Sequence, residues 1–350
     1  MDVFITGTGW ITAIGAGLDE VWDAILAGTP APVRELAGPP GRRPHLAAPV
    51  PPKLVDAIAR NPRLRRSSNI SLYAAAAAMA ALHDAGVDPA RPGSCAVICA
   101  VSDGGVIYTR KFYDQVVREG AGSPLLFPET VYNAPGSHVA ALLGLDGISY
   151  TVVGDASAGL AALELGVQLL GAGEVEHCLV TGAEECDWIL GEAYRQWRLS
   201  GPGGPGIEIW SNRGTLIAEG GAAVVLSRTG RHRLRALSSG VPFFRQAEAG
   251  ASLAAALGQL PRAISPGLVV SSGNGTFIDG AERPAVEAAY GRLATIYPKV
   301  TLGDPFGASA LMQVICAVQK LRRDPEAGSV LAPVIGLNHQ AAAALISVES

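Results

Sequence analysis

The chain has 350 residues, 49% hydrophobic and 17% charged, with a formal net charge of −4. That length admits one large two-part domain or two ordinary ones, and so few charges call for wide burial, part of it against a partner. A mildly acidic chain without a basic stripe is not a nucleic-acid binder, and no apolar stretch both reaches the ~18 residues of a membrane span and lacks turn signals.

The elements alternate. A strand is expected over 2–6, then a glycine-rich turn and a helix over 18–27. Residues 31–52 are proline-rich and read as a surface loop. A long alanine-rich helix over 68–85 leads to a strand over 94–100 and an amphipathic helix over 106–118. A helix over 131–143 follows. Next come a strand over 177–181, a loop over 201–206 and a strand over 221–227. The style then repeats: strand 233–237, helix 251–257, strand 267–271, helices 279–290 and 307–321, and strands 332–336 and 342–348. The spacing of apolar residues carries these readings. Two similar runs, 1–229 and 230–350, imply a duplicated pair of α/β units around one core.

The opening, MDVFITGTGWITAIG, lacks the basic flank and long apolar run of a signal peptide. The five cysteines, Cys95, Cys99, Cys178, Cys186 and Cys316, are odd in number and show no metal-ligand spacing. They read as reduced thiols of a cytoplasmic protein, with no metal or cofactor expected. Cys95 and Cys99 fit one face of a strand and Cys186 fits packing near a strand end.

One stretch organises the rest: GISYTVVGDASAGLAALELGVQLLG, residues 147–171. Ile148, Tyr150 and Val152 alternate as in a strand. The chain turns sharply at Gly154–Gly159, and Leu160, Leu163, Val167 and Leu170 then form a helical stripe. Such a turn aims one side chain, and the helix's free N–H groups, into a cavity. Enzymes display nucleophiles there. This turn holds no cysteine.

The opening stretch resembles that of β-ketoacyl synthases. NAPGSHVAALLGLDGISYTVVGDASAGL is similar to the region around their nucleophile, PKVTLGDPFGASALMQVICAV to their lysine-containing segment, and IGLNHQAAAALIS to their closing glycine-rich loop and strand. The match is collinear along nearly the whole chain. It implies a thiolase-like α/β fold, five layers α/β/α/β/α in two pseudo-repeated halves. In that family a cysteine thiolate takes the acyl chain and two histidines assist decarboxylation of the extender. On the family's motifs the nucleophile position is Ala156, the first histidine position is Ser272 and the second is Asp304, while Lys299 is retained. A methyl group cannot attack a thioester, and an anion at Asp304 opposes an enolate.

A synthase fold stripped of its catalytic set resembles the chain length factor of type II polyketide synthases. The resemblance implies a non-catalytic subunit that pairs with an active ketosynthase through the strand near 148–153. Condensation then occurs on that ketosynthase, fed by an acyl carrier protein. It also implies a tunnel gate at Val106, Thr109 and Tyr113, whose i, i+3, i+7 spacing puts them on one helix face. Aromatic-type factors usually carry glutamine where Ala156 stands, so the resemblance leans toward divergent, polyene-making systems. Two alternatives stay open: an unusual acyltransferase or decarboxylase using Ser157, and a homodimeric thiolase-fold scaffold. Ser157 needs a base that the sequence does not display. His138 reads as structural, and His339 either faces the pocket or is solvated.

Overall fold

The computed structural model describes residues 1–200, 206–337 and 339–349. In chain order the elements are β1 (Phe4–Ile11), α1 (Leu18–Ala27), β2 (Arg34–Leu36), β3 (His45–Ala48), α2 (Asp56–Ala59), α3 (Asn69–Asp84), β4 (Cys95–Val101), α4 (Val106–Glu119), α5 (Ala134–Leu143), β5 (Ser149–Val153), α6 (Ala158–Ala172), β6 (His177–Glu184) and α7 (Trp188–Gln196). There follow β7 (Ile217–Ala218), β8 (Gly220–Ser227), β9 (His232–Leu237), β10 (Val241–Pro242), α8 (Ala249–Leu257), β11 (Leu268–Val270), α9 (Phe277–Tyr290), β12 (Ala294–Ile296), α10 (Pro298–Leu302), α11 (Ser309–Arg323), β13 (Ser329–Ile335) and β14 (Gln340–Val348).

The large sheet runs β12-β11-β13-β14-β9-β1-β8-β6-β4-β5. It divides at the short β9–β1 contact into two five-stranded halves of one design. In the first, β5 is parallel to β4, β4 is parallel to β6, and β8 and β1 add antiparallel. In the second, β12, β11, β13, β14 and β9 repeat those relations in the same order. The expected pseudo-repeat is therefore present strand by strand.

Side-chain alternation sets the layers. Ile98 of β4, Val180 of β6, Val270 of β11 and Val330 of β13 point inward and meet Leu160 and Leu163 of α6 and Leu311 and Ile315 of α11. Val97 and Cys99 of β4 point outward onto Ala74, Ala77 and Ala78 of α3. Leu331 of β13 and Leu345 of β14 point outward onto Leu253 of α8 and Val286 of α9. The result is five layers, α/β/α/β/α, with α6 and α11 as the central pair. Their approach is close: a β-carbon at Gly159 would stand 3.0 Å from the Ala310 β-carbon.

Several short elements depart from the sequence reading. The expected loop over 31–52 contains β2 and β3, which join β7 in a small three-stranded sheet. Their support is a distant partner, Ala47 and Ala48 pairing with Ile217 and Ala218. Helix α7, strand β12 and helix α10 also stand where none was expected. Residues 201–205 of the expected loop 201–206 lie outside the described residues. All five cysteines are free and buried. Burial pushes the Cys95 thiol up to about 11 and the Cys99 thiol up to about 12, so these are packing groups, as expected. Among the described residues, no helix is long and apolar enough to cross a membrane.

The α6–α11 contact is open to test. Gly159→Leu forces extra volume into it and is expected to lower the unfolding free energy in urea by about 1–3 kcal/mol. An unchanged midpoint would mean the two helices do not meet at this glycine.

Candidate functional site

The turn between β5 and α6 places Ala156 in the central core, 4% exposed. The backbone N–H of Gly154 donates to Val101 O at 2.9 Å, strapping the turn to the end of β4. The Ser157 hydroxyl donates to Gln340 Oε1 of β14 at 2.9 Å and lies 3.4 Å from Asp155 Oδ1. Those partners are acceptors, and among the described residues no imidazole is bonded to it. His339 adopts the left-handed conformation (φ 80°), and its ring lies tilted against Phe243, 5.0 Å between centroids.

The second position, Ser272, follows β11 and is wholly buried. Its hydroxyl donates to Glu282 of α9, and its backbone N–H donates to the same carboxylate at 2.8 Å. Ser271 bonds the other oxygen. The Ile335 N–H at the end of β13 donates to the Ser272 hydroxyl at 3.1 Å. Ser272 is thus a structural tie, its hydroxyl both donating and accepting. Burial pushes the Glu282 carboxyl up to about 7, against the opposing pull of the two serines.

The third position is the best satisfied. Asp304 lies in the loop after α10, and Lys299 Nζ stands 3.0 Å from both its carboxylate oxygens. Asn274 Nδ2 and the Ser309 hydroxyl each donate to it at 2.8 Å. The group at 304 is an ion-paired acceptor rather than a donor.

The closing hairpin β13–β14 joins these positions. Ile335 bonds Ser272, Gln340 bonds Ser157, and a β-carbon at Gly336 would fall 2.2 Å from both oxygens of Asp155. Asn274, two residues beyond Ser272, reaches Asp304. The positions that the motifs single out therefore share one buried wall.

Spacing missed the acids around it. Asp103 follows β4 and Glu184 ends β6, where its carboxylate accepts from the N–H groups of Ser102 and Asp103. Glu184 lies within the GAEE of the nucleophile-region resemblance, but its encounter with Asp103 is made only by folding. Tyr194 of α7 stacks on Phe306, 4.6 Å between centroids. Its signal was readable: the Asp187 side chain accepts from Ile189 N–H at 3.1 Å and so caps α7. His138 bonds Glu129 at 2.6 Å, which in turn accepts from Ser68 N–H. It is structural, as read. Among the described residues no cluster of His, Cys, Asp or Glu is placed to hold a metal ion.

Helix α4 carries the remaining candidates. Val106 is buried, Thr109 is half-buried with its hydroxyl on Gly105 O at 2.9 Å, and Tyr113 is 62% exposed. Val117, Phe127 and Tyr132 are exposed as well. Strand β5 ends the sheet with β4 as its one neighbour among the described residues, and Tyr150 and Val153 are about half exposed.

The profile of the β-ketoacyl synthase N-terminal domain matches residues 1–232. The chain belongs to the β-ketoacyl synthase family. Its fold is the thiolase-like ketosynthase fold. A β-ketoacyl synthase from Burkholderia phymatum STM815 superposes with a TM-score of 0.87 at 19% identity, over 100% of each chain. The ishigamide ketosynthase/chain length factor gives 0.83 at 19% identity, over 100% of this chain and 99% of that one. A ketosynthase in complex with its chain length factor from Xenorhabdus doucetiae gives 0.80 at 16% identity, over 99% and 98%. At these identities the likeness is one of fold. No curated protein matches the chain.

Two measurements probe this β-ketoacyl synthase wall. Asp304→Ala strands a buried Lys299 charge and is expected to cost roughly 3–5 kcal/mol of stability, much of it recovered in Lys299→Met/Asp304→Leu. Equal loss in both variants would argue against the ion pair as the cause. Glu282 gives a pH signature. Its pKa rises from 4.5 unfolded to about 7 folded, so the native state keeps a proton that the unfolded chain releases between those values. Its contribution is full below pH 4.5 and is lost as pH rises to about 7, by up to about 3 kcal/mol. Glu282→Gln should flatten unfolding free energy against pH over that window. A slope unchanged from the parent would exclude Glu282 as its source.

Proposed function

We propose that this chain is a chain length factor: a non-catalytic subunit that pairs with an active ketosynthase and sets the length of the acyl chain grown there. The observation that carries the reading is the methyl group of Ala156 where the family's motif has its thiol. The engagement of Ser272 with Glu282 and of Asp304 with Lys299 supports it, since neither position donates to an enolate. In this reading residues 1–229 and 230–350 are the two thiolase-like halves.

The interface reading rests on surface chemistry. Tyr150 and Val153 on the end strand β5 are exposed apolar groups with an unpaired strand edge beside them. Tyr113, Val117, Phe127 and Tyr132 add more apolar surface on and beyond α4. An obligate subunit buries over ~2,000 Å² of such core-like surface. The partner ketosynthase extends the sheet from β5, and Val106, Thr109 and Tyr113 close the far end of its acyl tunnel. The fold neighbours include ketosynthases described with a chain length factor and one with an acyl carrier protein. The carrier protein delivers the acyl and extender groups to the partner's cysteine. Alanine in place of glutamine at 156 favours a polyene-type product over an aromatic one.

Co-expression tests the pairing: a 1:1 complex with a ketosynthase is expected, with the chain poorly soluble alone. Tyr113→Ala is expected to lengthen the products of that complex, and Val106→Phe to shorten them, read by mass spectrometry. Unchanged product lengths in both would remove the gate. Uptake of label from an acyl thioester by the isolated chain would overturn the non-catalytic reading.

A further inference from the structure

Helix α4 has little apolar seating. Among its 14 described residues Val106 alone is buried, with Ile107 packed beside it. Tyr113 and Val117 face solvent. A helix of this length is normally seated by an apolar stripe. This one is held by polar ties.

The ties come from one short segment at the end of β6 and the head of α7. There Glu184, Glu185 and Asp187, all buried, hold the chain at four successive points. Glu184 accepts from the N–H groups of Ser102 and Asp103, just before α4. Glu185 Oε1 accepts from Ile107 N–H at 2.8 Å. Asp187 receives Arg110 Nε on both oxygens, at 3.0 and 2.9 Å. The other Glu185 oxygen accepts from Ile70 N–H at 3.2 Å, so one carboxyl serves the first turns of α3 and α4 together. Burial pushes that carboxyl up to about 7 against the pull of both N–H groups, so this tie rests on accepted hydrogen bonds more than on charge. Asp187 is itself fixed, because it caps α7 at Ile189 N–H.

Apolar packing is non-directional, whereas hydrogen bonds to an ionised partner fix direction as well as distance. An ion pair between two exposed groups contributes little. Here Arg110 is partly exposed, but its carboxylate partner is buried. We propose that Asp187, acting through Arg110, and Glu185 are positioning residues for α4: they set where Val106, Thr109 and Tyr113 stand, and so the depth of the acyl tunnel. The inference rests on the reading of that helix face as the gate. Arg110 lies between Thr109 and Tyr113 in the chain and one helical turn beyond Val106, so a displaced guanidinium carries all three with it.

The test compares Arg110→Met with Arg110→Lys in the full chain. Methionine removes the tie and leaves Asp187 on the head of α7, whereas lysine keeps the charge. Hydrogen exchange is read by mass spectrometry in whichever state, alone or complexed, the parent is soluble. Exchange over residues 106–119 should quicken roughly tenfold in Arg110→Met, the order of one lost charge-assisted hydrogen bond, with β4 and β6 at parental rates. In the ketosynthase complex the same variant should spread the product lengths, and Arg110→Lys should restore the parental distribution. Circular dichroism reports folding. Should Arg110→Met unfold, Asp187→Asn, which keeps an acceptor for Ile189 N–H, carries the test with the same expectations. Parental exchange over 106–119 would overturn the inference, as would parental product lengths in a complex whose products Tyr113→Ala does shift. Faster exchange, with product lengths that neither variant nor Tyr113→Ala changes, sinks the gate and leaves the positioning of α4 standing.

Discussion

The buried pair Lys299–Asp304 is the constraint on which the site depends. Two charges so deep in a protein are tolerated only when each is fully engaged. Asp304 meets that demand with donors from three places: Lys299 on α10, Asn274 after β11 and Ser309 at the head of α11. Its backbone is held as well, since Asp304 N–H reaches Leu216 O and Ala218 N–H reaches Asp304 O beside β7. Segments far apart in the chain are thus fixed by one carboxylate. The carboxylate at 304 is a fastening for the three segments.

The same kind of fastening recurs around it. Ser272 is tied to two elements: Glu282 receives both its hydroxyl and its N–H, and Ile335 N–H donates to its hydroxyl. Ser272 and Asp304 are both engaged by hydrogen bonds inside the core. Phe306, next to the fastening, adopts a left-handed backbone (φ 32°) while its ring stacks on Tyr194. Such a conformation costs roughly 1–3 kcal/mol and persists because its surroundings over-determine it.

Much of this was legible in the sequence, for identifiable reasons. The long strands and helices carry their own period: CAVIC in β4 sends Cys95, Val97 and Cys99 to one face and Ala96 and Ile98 to the other. The collinear motifs pointed to Ala156, Ser272, Asp304 and Lys299, and in the structure the last two form a buried pair. What stayed hidden depends on distant partners. Strand β3 stands on Ile217 and Ala218, far along the chain, and its four residues hold no period of their own. β12 is three residues held by β11. The seat of Glu184 on the Ser102 and Asp103 N–H groups is likewise made by folding, which no spacing records. Helix α7 is the exception, because Asp187 at its head was a visible start signal.

The two halves share one strand order but end differently. At one extremity β5 offers five residues with Tyr150 and Val153 outward. At the other, β12 has only three, and Pro298 follows two residues later. A long apolar rim invites another backbone, whereas a stub beside a proline gives little to grip. The repeated strand order does not extend to equal strand lengths at the two sheet ends. Of the two ends of the large sheet, β5 is therefore the better suited to accept a further strand.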